Sequence, residues 1–384
     1  MKQNNDFTVI DLFCGAGGLT SGFEWENFSS LCAIDINSDS LTTYKHNFPD
    51  AQIICDDVQK IDPKDLRLSL GLKKQQLSAI IGGPPCQGFS RNVPAGYRYL
   101  NDPQNLLYIT YTKFVREFKP KYVVIENVPE ILNAYQGIVK NEITKLLESM
   151  GYKVTIMPLN AAFYGVPQTR KRAFFVGCLY GNEIETPKQT HYGNVKNLNT
   201  INNQLSIDNT LKPLVTVREA IGDLPPLEAG DEYPKKKYPQ KADSAYQKLL
   251  RNNSKTLVNH VARKLSPVQM SRARSLKEGQ DARDLPKELA PKKHYSGAYG
   301  RLYWDRPCRT ITKWVFHPGS GRFFHPTQDR TITIREAARL HSYPDRFHFT
   351  GSYTKMAAQI GESVPPLLAK KIASSIKDHY FQNH

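Results

Sequence analysis

A short apolar run that ends in a glycine- and proline-rich turn limits the possible folds of this chain more than any other stretch. Residues 77–81 are typical of a buried strand, and Gly82-Gly83-Pro84-Pro85-Cys86 follows without a break. The glycines allow a tight turn, and the prolines stiffen the approach to Cys86. At the carboxyl end of a strand, where open α/β sheets bind ligands, this thiol is placed as a nucleophile. An incidental buried cysteine explains the turn equally well.

Further short apolar runs alternate with helical patterns over the first 180 residues or so. We predict additional strands at residues 7–10, 31–34, 51–55, 122–125 and 172–177, and helices from Ser21 and over 106–118. Later in the chain, Thr333 and Glu336 form a predicted capping box, and a last helix is predicted over 365–376. The alternation favours an α/β fold with a doubly wound mixed sheet and a second, smaller domain.

The charge of the chain limits the classes of partner. Lys and Arg number 52 against 36 Asp and Glu, a formal net charge of +16, which favours nucleic acid or an anionic membrane surface. No apolar run approaches the roughly 18 residues of a membrane span, and no secretory signal is apparent. The six cysteines include no Cys-x-x-Cys pair, so we expect a reduced cytoplasmic protein without a metal site.

The chain becomes polar and loses clear periodicity between residues 182 and 301. Within it, residues 231–301 contain 17 Lys and Arg against 7 Asp and Glu, with tyrosines interleaved. This composition suits a surface that binds nucleic acid. A solvated face or a disordered linker has a similar composition, so the window alone leaves both interpretations open.

The first predicted strand leads into a glycine-rich turn, Asp11-Leu-Phe-Cys-Gly15-Ala-Gly17-Gly18. A strand, a glycine turn and a helix in succession are typical of sites that cradle an adenosine-containing cofactor. Asp35 ends the second strand, where a carboxylate can accept hydrogen bonds from ribose hydroxyls. The spacing differs from the Gly-x-Gly-x-x-Gly of dinucleotide folds, which disfavours an NAD oxidoreductase, and an ordinary tight turn would use the same glycines.

Six motifs together resemble the cytosine carbon-5 DNA methyltransferases of bacterial restriction-modification systems. They occur in the family's order: residues 11–18, Gly83-Pro-Pro-Cys-Gln87, Glu126-Asn-Val128, Gln168-x-Arg170-x-Arg172, residues 335–345 and Gly361-Glu-Ser-Val-Pro365. The resemblance implies a Rossmann-like fold that uses S-adenosylmethionine. It also implies methyl transfer to carbon 5 of a cytosine flipped out of double-stranded DNA.

The resemblance assigns a role to each site residue. Cys86 would add to cytosine carbon 6, Glu126 would bind N3, and Arg172, with Arg170 more loosely, would hold the cytosine oxygen. Residues implied at the cofactor are Phe13, Gly15, Gly17, Asp35, Ile36, Asp57, Val58, Ser363 and Val364. Residues implied at the DNA are Ser90 and Arg91 of the loop 87–105, Gln168 and Thr310. Taken alone, Glu126 is better explained as a capping or ion-paired acid. Asp57 could equally cap the next helix, and the arginines could be surface charges.

The same resemblance predicts the organisation of the chain. We expect a catalytic and cofactor-binding domain over 1–190, a target recognition domain over 191–333, and a hinge and C-terminal segment over 334–384 that completes the catalytic domain. We expect a monomer without membrane contact, whose cognate restriction endonuclease is a genetic partner only. A tRNA cytosine-5 methyltransferase and a catalytically dead DNA-binding protein are the alternatives.

Two residues depart from the family's motifs. Gln104 stands where an arginine is usual, and Glu362 stands where an asparagine is usual. These departures put in doubt one contact to a DNA phosphate and one contact to the cofactor. Neither departure involves Cys86 or Glu126, so we still expect activity.

Overall fold

A computed structural model of the protein describes residues 7–85, 107–195, 210–252, 254–293 and 295–383. The packing divides the chain into two compact units. Unit 1 comprises residues 1–160, 171–188 and 368–384, and unit 2 comprises residues 161–170 and 189–367. The chain therefore enters unit 2 briefly after residue 160, returns to unit 1 at residue 171, and leaves it again after residue 188.

Unit 1 contains a seven-stranded sheet. Its strands are β1 (Thr8–Leu12), β2 (Ser29–Asp35), β3 (Gln52–Cys55), β4 (Ala79–Gly82), β5 (Tyr122–Asn127), β6 (Lys153–Asn160) and β8 (Lys171–Cys178). The short strand β7 (Gln168–Thr169), between β6 and β8 in the chain, belongs to unit 2. The spatial order is β3-β2-β1-β4-β5-β8-β6. Strands β1 to β5 pair in parallel, whereas β8 is antiparallel to β5 and β6. The predicted α/β fold with a mixed sheet is confirmed.

The central strands are nearly continuous apolar runs because both of their faces are buried. Ile10, Ile80 and Val123 are fully buried and share one hydrophobic cluster with Tyr111 and Phe114 of the helix after β4. This packing fixes the carboxyl ends of β1, β4 and β5. The helices of this unit are α1 (Gly18–Glu24), α2 (Ser38–Asn47), α3 (Pro63–Ser69), α4 (Leu107–Phe118), α5 (Ile138–Ser149) and, beginning at the unit boundary, α11 (Pro366–Asn383).

In its described residues, unit 2 consists of short elements joined by long connections. Its helices are α6 (Val217–Ile221), α7 (Ala245–Arg251), α8 (Pro267–Ser275), α9 (Ile334–Leu340) and α10 (Tyr353–Glu362). Its strands, besides β7, are β9 (His191–Tyr192), β10 (Lys212–Pro213) and β11 (Cys308–Arg309). The predicted capping box of Thr333 and Glu336 is present at the start of α9. Among the helices of the described ranges, none is long and apolar enough to cross a membrane.

Buried ion pairs hold α9 inside unit 2. Arg330 donates to both carboxylate oxygens of Glu336 at 2.7 and 2.8 Å, and Arg339 pairs with Asp345 and Asp223. Burial opposes the charge of Asp345, but Arg339, together with Arg335 and Tyr238, outweighs this effect and lowers the pKa of Asp345 to about 2. Each charge is therefore stabilised only while its partner stays in place.

The units differ from the expected domain boundaries in three respects. Residues 161–170, expected in the first domain, belong to unit 2. The first boundary, expected between residues 190 and 191, lies between 188 and 189. The segment expected over 334–384 is divided, because residues 334–367 pack in unit 2 and residues 368–384 in unit 1. The physical reason is the ion pair between Arg339 of α9 and Asp223, which ties α9 to residues earlier in unit 2.

Candidate active site and cofactor pocket

The carboxyl ends of β4 and β5 meet in unit 1 and hold the turn that leads to Cys86. Asn127, at the end of β5, donates a hydrogen bond from Nδ2 to the carbonyl oxygen of Pro84 at 3.0 Å. A Cβ atom built on Gly83 would lie 2.8 Å from Oε2 of Glu126, so only glycine fits there without a shift. The Glu126 carboxylate therefore lies directly against the turn.

Cys86 itself, Ser90, Arg91 and Gln104 lie outside the described residues. The predictions made for them, and for the loop 87–105, remain predictions. The described part of the turn ends at Pro85.

Glu126 is held by an arginine from the neighbouring strand. Nε of Arg172 lies 2.7 Å from Oε1 of Glu126, and the two side chains are 14% and 12% exposed. The contact forms because β5 and β8 are antiparallel, with Glu126 paired to Phe174 in the ladder. Arg172 also donates from Nη1 to the carbonyl oxygen of Lys171 at 2.7 Å. A charge-assisted pair at the edge of the sheet thus fixes an acid and a cation in one place.

The glycine-rich turn after β1 forms the second part of the site. Phe13, Gly15 and Gly17 all have positive φ values, of 58°, 52° and 91°. The amide of Gly15 donates to Oδ2 of Asp35 at 2.8 Å, which ties the turn to the end of β2. A Cβ atom built on Gly15 would meet no heavy atom within 4 Å, so the turn borders open space at this point.

The side chains around Asp35 divide into exposed and buried groups. Ile36 is a large apolar side chain that is 73% exposed, as expected for a residue that packs on a ligand. Asp57 accepts a hydrogen bond from the amide of Gln59 at 3.0 Å and caps a short 3-10 helix. Val58 is 3% exposed and packs in the hydrophobic cluster. Asp35 and Ile36 are therefore the members of the predicted pocket best placed to contact a ligand from unit 1.

Comparison with known proteins decides the family. Residues 7–378 match the family model of the C-5 cytosine-specific DNA methylases. The chain belongs to this family. It is 35% identical to Type II methyltransferase M.AgeI of Thalassovita gelatinovora, over 96% of this chain and 99% of that protein. It is 34% identical to Type II methyltransferase M.DdeI of Desulfomicrobium norvegicum, over 98% of this chain and 89% of that protein.

A solved structure agrees with this assignment. A protein described as a DNA modification methyltransferase encoded within an E. coli prophage superposes with a TM-score of 0.74 at 25% identity, covering 98% of this chain and 99% of the other. This methylase is thus a DNA cytosine-5 methyltransferase, and S-adenosylmethionine is the methyl donor of its family. The predicted family, activity and cofactor are confirmed.

Arg170 of this methylase lies in a different environment from Arg172. It belongs to unit 2, is 1% exposed, and donates to the carbonyl oxygens of Ile311, Gly361 and Ser363 at 2.8 to 2.9 Å. Its guanidinium thus holds two segments of unit 2 together. This arrangement favours a structural role for Arg170.

Gln168 and Thr310, the described residues predicted at the DNA, also take part in contacts within unit 2. Gln168 is fully buried, and its Oε1 accepts a hydrogen bond from the amide of Ile311 at 2.9 Å. The Thr310 hydroxyl donates to the carbonyl oxygen of Thr169 at 2.9 Å. Both side chains fix the backbone around β7 and β11. A direct DNA contact by Gln168 would require it to leave this buried position.

The two closing residues of the predicted pocket, Ser363 and Val364, belong to unit 2. Ser363 donates from its hydroxyl to the carbonyl oxygen of Ile360 at 2.8 Å. Next to it, Glu362, which departs from the family's motif, lies 3.1 Å from Nζ of Lys313. The Glu362 carboxylate therefore forms an ion pair within unit 2. An uncharged asparagine could not form this ion pair.

Sequence reasoning assigned no role to two residues of the site. Asn127, within the Glu126-Asn-Val128 motif, holds the carbonyl oxygen of Pro84, and its place directly after Glu126 was the available signal. Asp11 opens the glycine-rich motif and is fully buried, with Oδ2 accepting a hydrogen bond from the Thr20 hydroxyl at 2.6 Å. Burial raises the pKa of Asp11 to about 8.

Proposed function

We propose that Cys86 is the nucleophile of this methylase and that Glu126 and Arg172 activate the cytosine that it attacks. The observation that carries the proposal is the Glu126–Arg172 pair, packed against Gly83 at the start of the turn to Cys86. An acid that binds N3 draws electrons from the ring, and a guanidinium stabilises the charge that develops on the cytosine oxygen.

The proposed reaction follows from these roles. The Cys86 thiolate adds to carbon 6 of the flipped cytosine, so carbon 5 becomes the nucleophilic carbon of an enamine. When bound, S-adenosylmethionine supplies the electrophilic methyl group. Loss of the proton from carbon 5 then allows the bond between carbon 6 and the Cys86 sulfur to break, which restores the aromatic ring and the free enzyme.

Asp35 and Ile36 are the proposed cofactor contacts of unit 1. The Asp35 carboxylate, at the end of β2, would accept hydrogen bonds from the ribose hydroxyls, and the exposed Ile36 side chain would pack on the adenine. Phe13, Gly15 and Gly17 would form the wall of the pocket. Asp57 and Val58 would border the adenine, and Ser363 and Val364 would approach from the later part of the chain.

Unit 2 is proposed to recognise the DNA. The eleven lysines of residues 231–301 are all exposed, whereas Arg301 is 4% exposed and donates to the carbonyl oxygens of Ala273, Leu276 and His325. The lysines of the basic window therefore face the solvent, while this arginine is used in the fold. Exposed lysines suit contacts with phosphates, which position a protein on DNA without reading its sequence.

The biological role proposed is protection of DNA in a restriction-modification system. Two relatives that match over most of their length are named Type II methyltransferases. A cognate restriction endonuclease would be a genetic partner only, and we expect the methylase to act as a cytoplasmic monomer. Ser90 and Arg91, in the loop after Cys86, would contact the DNA backbone.

The proposed roles are tested by methyl transfer from labelled S-adenosylmethionine to duplex DNA and to tRNA. Glu126→Gln should lower kcat on duplex DNA at least about 10²-fold, because the acid no longer supplies a proton to N3. Glu117→Gln is the matched control, since Glu117 also pairs with an arginine of unit 1, Arg67, at 2.8 Å. Equal activity of the two variants would contradict the role of Glu126. Methylation of tRNA in place of DNA would favour the alternative substrate.

A further inference from the structure

A second cationic surface lies outside the basic window. Residues 306–328 contain no Asp or Glu, and within them we define the exposed strip as residues 309–317. Four side chains of the exposed strip face the solvent: Arg309, Lys313, Trp314 and His317. The strip thus combines positive charge with an indole that is 53% exposed.

The beginning of the exposed strip is fixed to a buried part of unit 2. The Ile311 amide donates to Gln168 at 2.9 Å, and the Ile311 carbonyl oxygen accepts from Arg170 at 2.8 Å. Thr312 is held from the other side, since a Cβ atom on Gly361 would lie 2.1 Å from its carbonyl carbon. The segment cannot shift without breaking these contacts.

The backbone of Trp314 is also fixed on both sides. Its amide donates to the hydroxyl of Thr312 at 3.3 Å, and its carbonyl oxygen accepts from the Ser320 hydroxyl at 2.6 Å and from the His317 amide at 2.8 Å. The indole is therefore displayed from an ordered backbone, which reduces the entropy cost when it binds a partner.

Trp314 differs from the other two tryptophans of the chain. Each indole lies near a cation: Trp25 is 5.8 Å from Nζ of Lys370, Trp304 is 4.8 Å from Arg218, and Trp314 is 5.9 Å from Nζ of Lys313. Trp314 also packs against Phe316, with ring centroids 5.7 Å apart. The difference is exposure, since Trp25 and Trp304 are partly buried and Trp314 is 53% exposed. A single exposed apolar side chain is ordinary on a protein surface. An indole among cations on an anchored segment is a combination that favours a nucleic-acid contact, because aromatic rings stack on bases while cations bind phosphates.

We propose that Trp314 packs its indole against the DNA substrate, and that Arg309 of the same exposed strip contacts a phosphate. The inference rests on the proposed role of unit 2 and adds a specific contact outside the lysine-rich window. Lys313 lies 3.1 Å from Glu362, so this pair sets the position of the lysine next to the indole. Trp314 is thus a positioning residue for the DNA and takes no part in the chemistry.

Fluorescence tests the contact directly. In a Trp25→Phe, Trp304→Phe background, Trp314 is the sole tryptophan, and duplex DNA should quench its emission and protect it from iodide. A duplex that binds, as judged by anisotropy of a labelled strand, yet leaves emission and iodide quenching unchanged would overturn the inference. Quenching by tRNA without quenching by duplex DNA would also overturn it.

Kinetics in the natural tryptophan background provide the second test. Trp314→Ala should raise KM for DNA about tenfold, equivalent to about 1.4 kcal/mol, with kcat, Tm and the affinity for S-adenosylmethionine nearly unchanged. Trp314→Phe should recover part of the affinity, because a phenyl ring still stacks. Leu68→Ala, at a position that is 56% exposed on α3 of unit 1, is the matched control and should behave like wild type.

These experiments distinguish a failure of the Trp314 contact from a failure of the proposed DNA methyltransferase function. If wild type methylates duplex DNA but Trp314→Ala retains its KM for DNA, the role of Trp314 is wrong and the proposed function stands. If wild type neither binds nor methylates duplex DNA, the proposed function fails first.

Discussion

Arg170 and Arg172 are two residues apart, yet the structure predicts opposite effects of their substitution. Arg170 is buried and donates to three backbone carbonyl oxygens, those of Ile311, Gly361 and Ser363. Arg172 is partly exposed and pairs with Glu126. Replacement by methionine keeps much of the side-chain volume and removes the charge in both cases. We expect Arg170→Met to impair stability and Arg172→Met to impair catalysis.

The magnitude for Arg170→Met follows from the donors that the substitution removes. A hydrogen bond to a charged group contributes about 1.5–3 kcal/mol, and the three carbonyl oxygens would lose the same guanidinium. Because the three contributions are not additive and the segments can relax, we expect a loss of about 3–5 kcal/mol in the free energy of unfolding. Arg172→Met breaks one ion pair whose side chains are 14% and 12% exposed, so we expect a smaller loss of stability than for Arg170→Met, because water still reaches the remaining Glu126 carboxylate.

Urea denaturation in a Trp25→Phe background provides the assay for Arg170→Met, because Arg170 and the two remaining tryptophans, Trp304 and Trp314, belong to unit 2. The measured transition then reports on unit 2. Arg172 lies in unit 1, so Arg172→Met is followed by Trp25 emission in a Trp304→Phe, Trp314→Phe background. In parallel, kcat on duplex DNA should fall about 10²-fold or more for Arg172→Met, as expected when a donor to a developing charge is removed. If Arg170→Met unfolds like wild type but loses kcat, Arg170 acts at the cytosine and the structural assignment is wrong.

Three further predictions concern the cofactor, a buried acid and the DNA surface. Asp35→Ala should weaken S-adenosylmethionine binding by about 1.5–3 kcal/mol for each charge-assisted bond removed; unchanged affinity in calorimetry would place the ribose contact elsewhere. Burial raises the pKa of Asp11 to about 8, so the contribution of Asp11 to stability decreases as pH rises from about 4 to 8, because over that range only the folded state keeps the proton. Asp11→Asn should flatten this dependence in thermal unfolding at a series of pH values, and an unchanged slope would mean that Asp11 is charged in the folded state. Replacing Lys235, Lys236 and Lys237 together by alanine should weaken DNA binding equally across DNA sequences. The slope of log affinity against log salt concentration should become shallower by about 0.9 for each phosphate that is no longer neutralised. If these lysines only form a solvated loop, both the affinity and the slope would stay unchanged.

The sequence alone predicted secondary structure correctly where local apolar patterns determine it. Each predicted strand of unit 1 overlaps an observed one, because buried parallel strands are short apolar runs. Strand β6 was missed: it lies at the edge of the sheet and contains Pro158, which edge strands tolerate and which obscures the strand pattern.

The roles of Arg170 and Glu362 could not be predicted from the sequence, because they depend on contacts between residues that are distant in the chain. The Gln168-x-Arg170-x-Arg172 spacing is that of side chains on one face of a single strand, but β7 ends at Thr169 and β8 begins at Lys171, so the two arginines enter different units. Likewise, the departure at Glu362 could be explained only once its partner Lys313 was located, because nothing in the local sequence pairs them.

Covalent capture of Cys86 is the measurement that tests the proposed mechanism most directly. Duplex DNA in which 5-fluorocytosine replaces cytosine should trap the methylase in the presence of S-adenosylmethionine, because the fluorine at carbon 5 cannot leave as a proton does. Peptide mass spectrometry should locate the adduct on Cys86. Cys86→Ser should form no adduct, and Cys55→Ser, which changes an exposed free cysteine of unit 1, should still form it. An adduct on another residue, or methylation by Cys86→Ser at a rate near that of wild type, would contradict the mechanism.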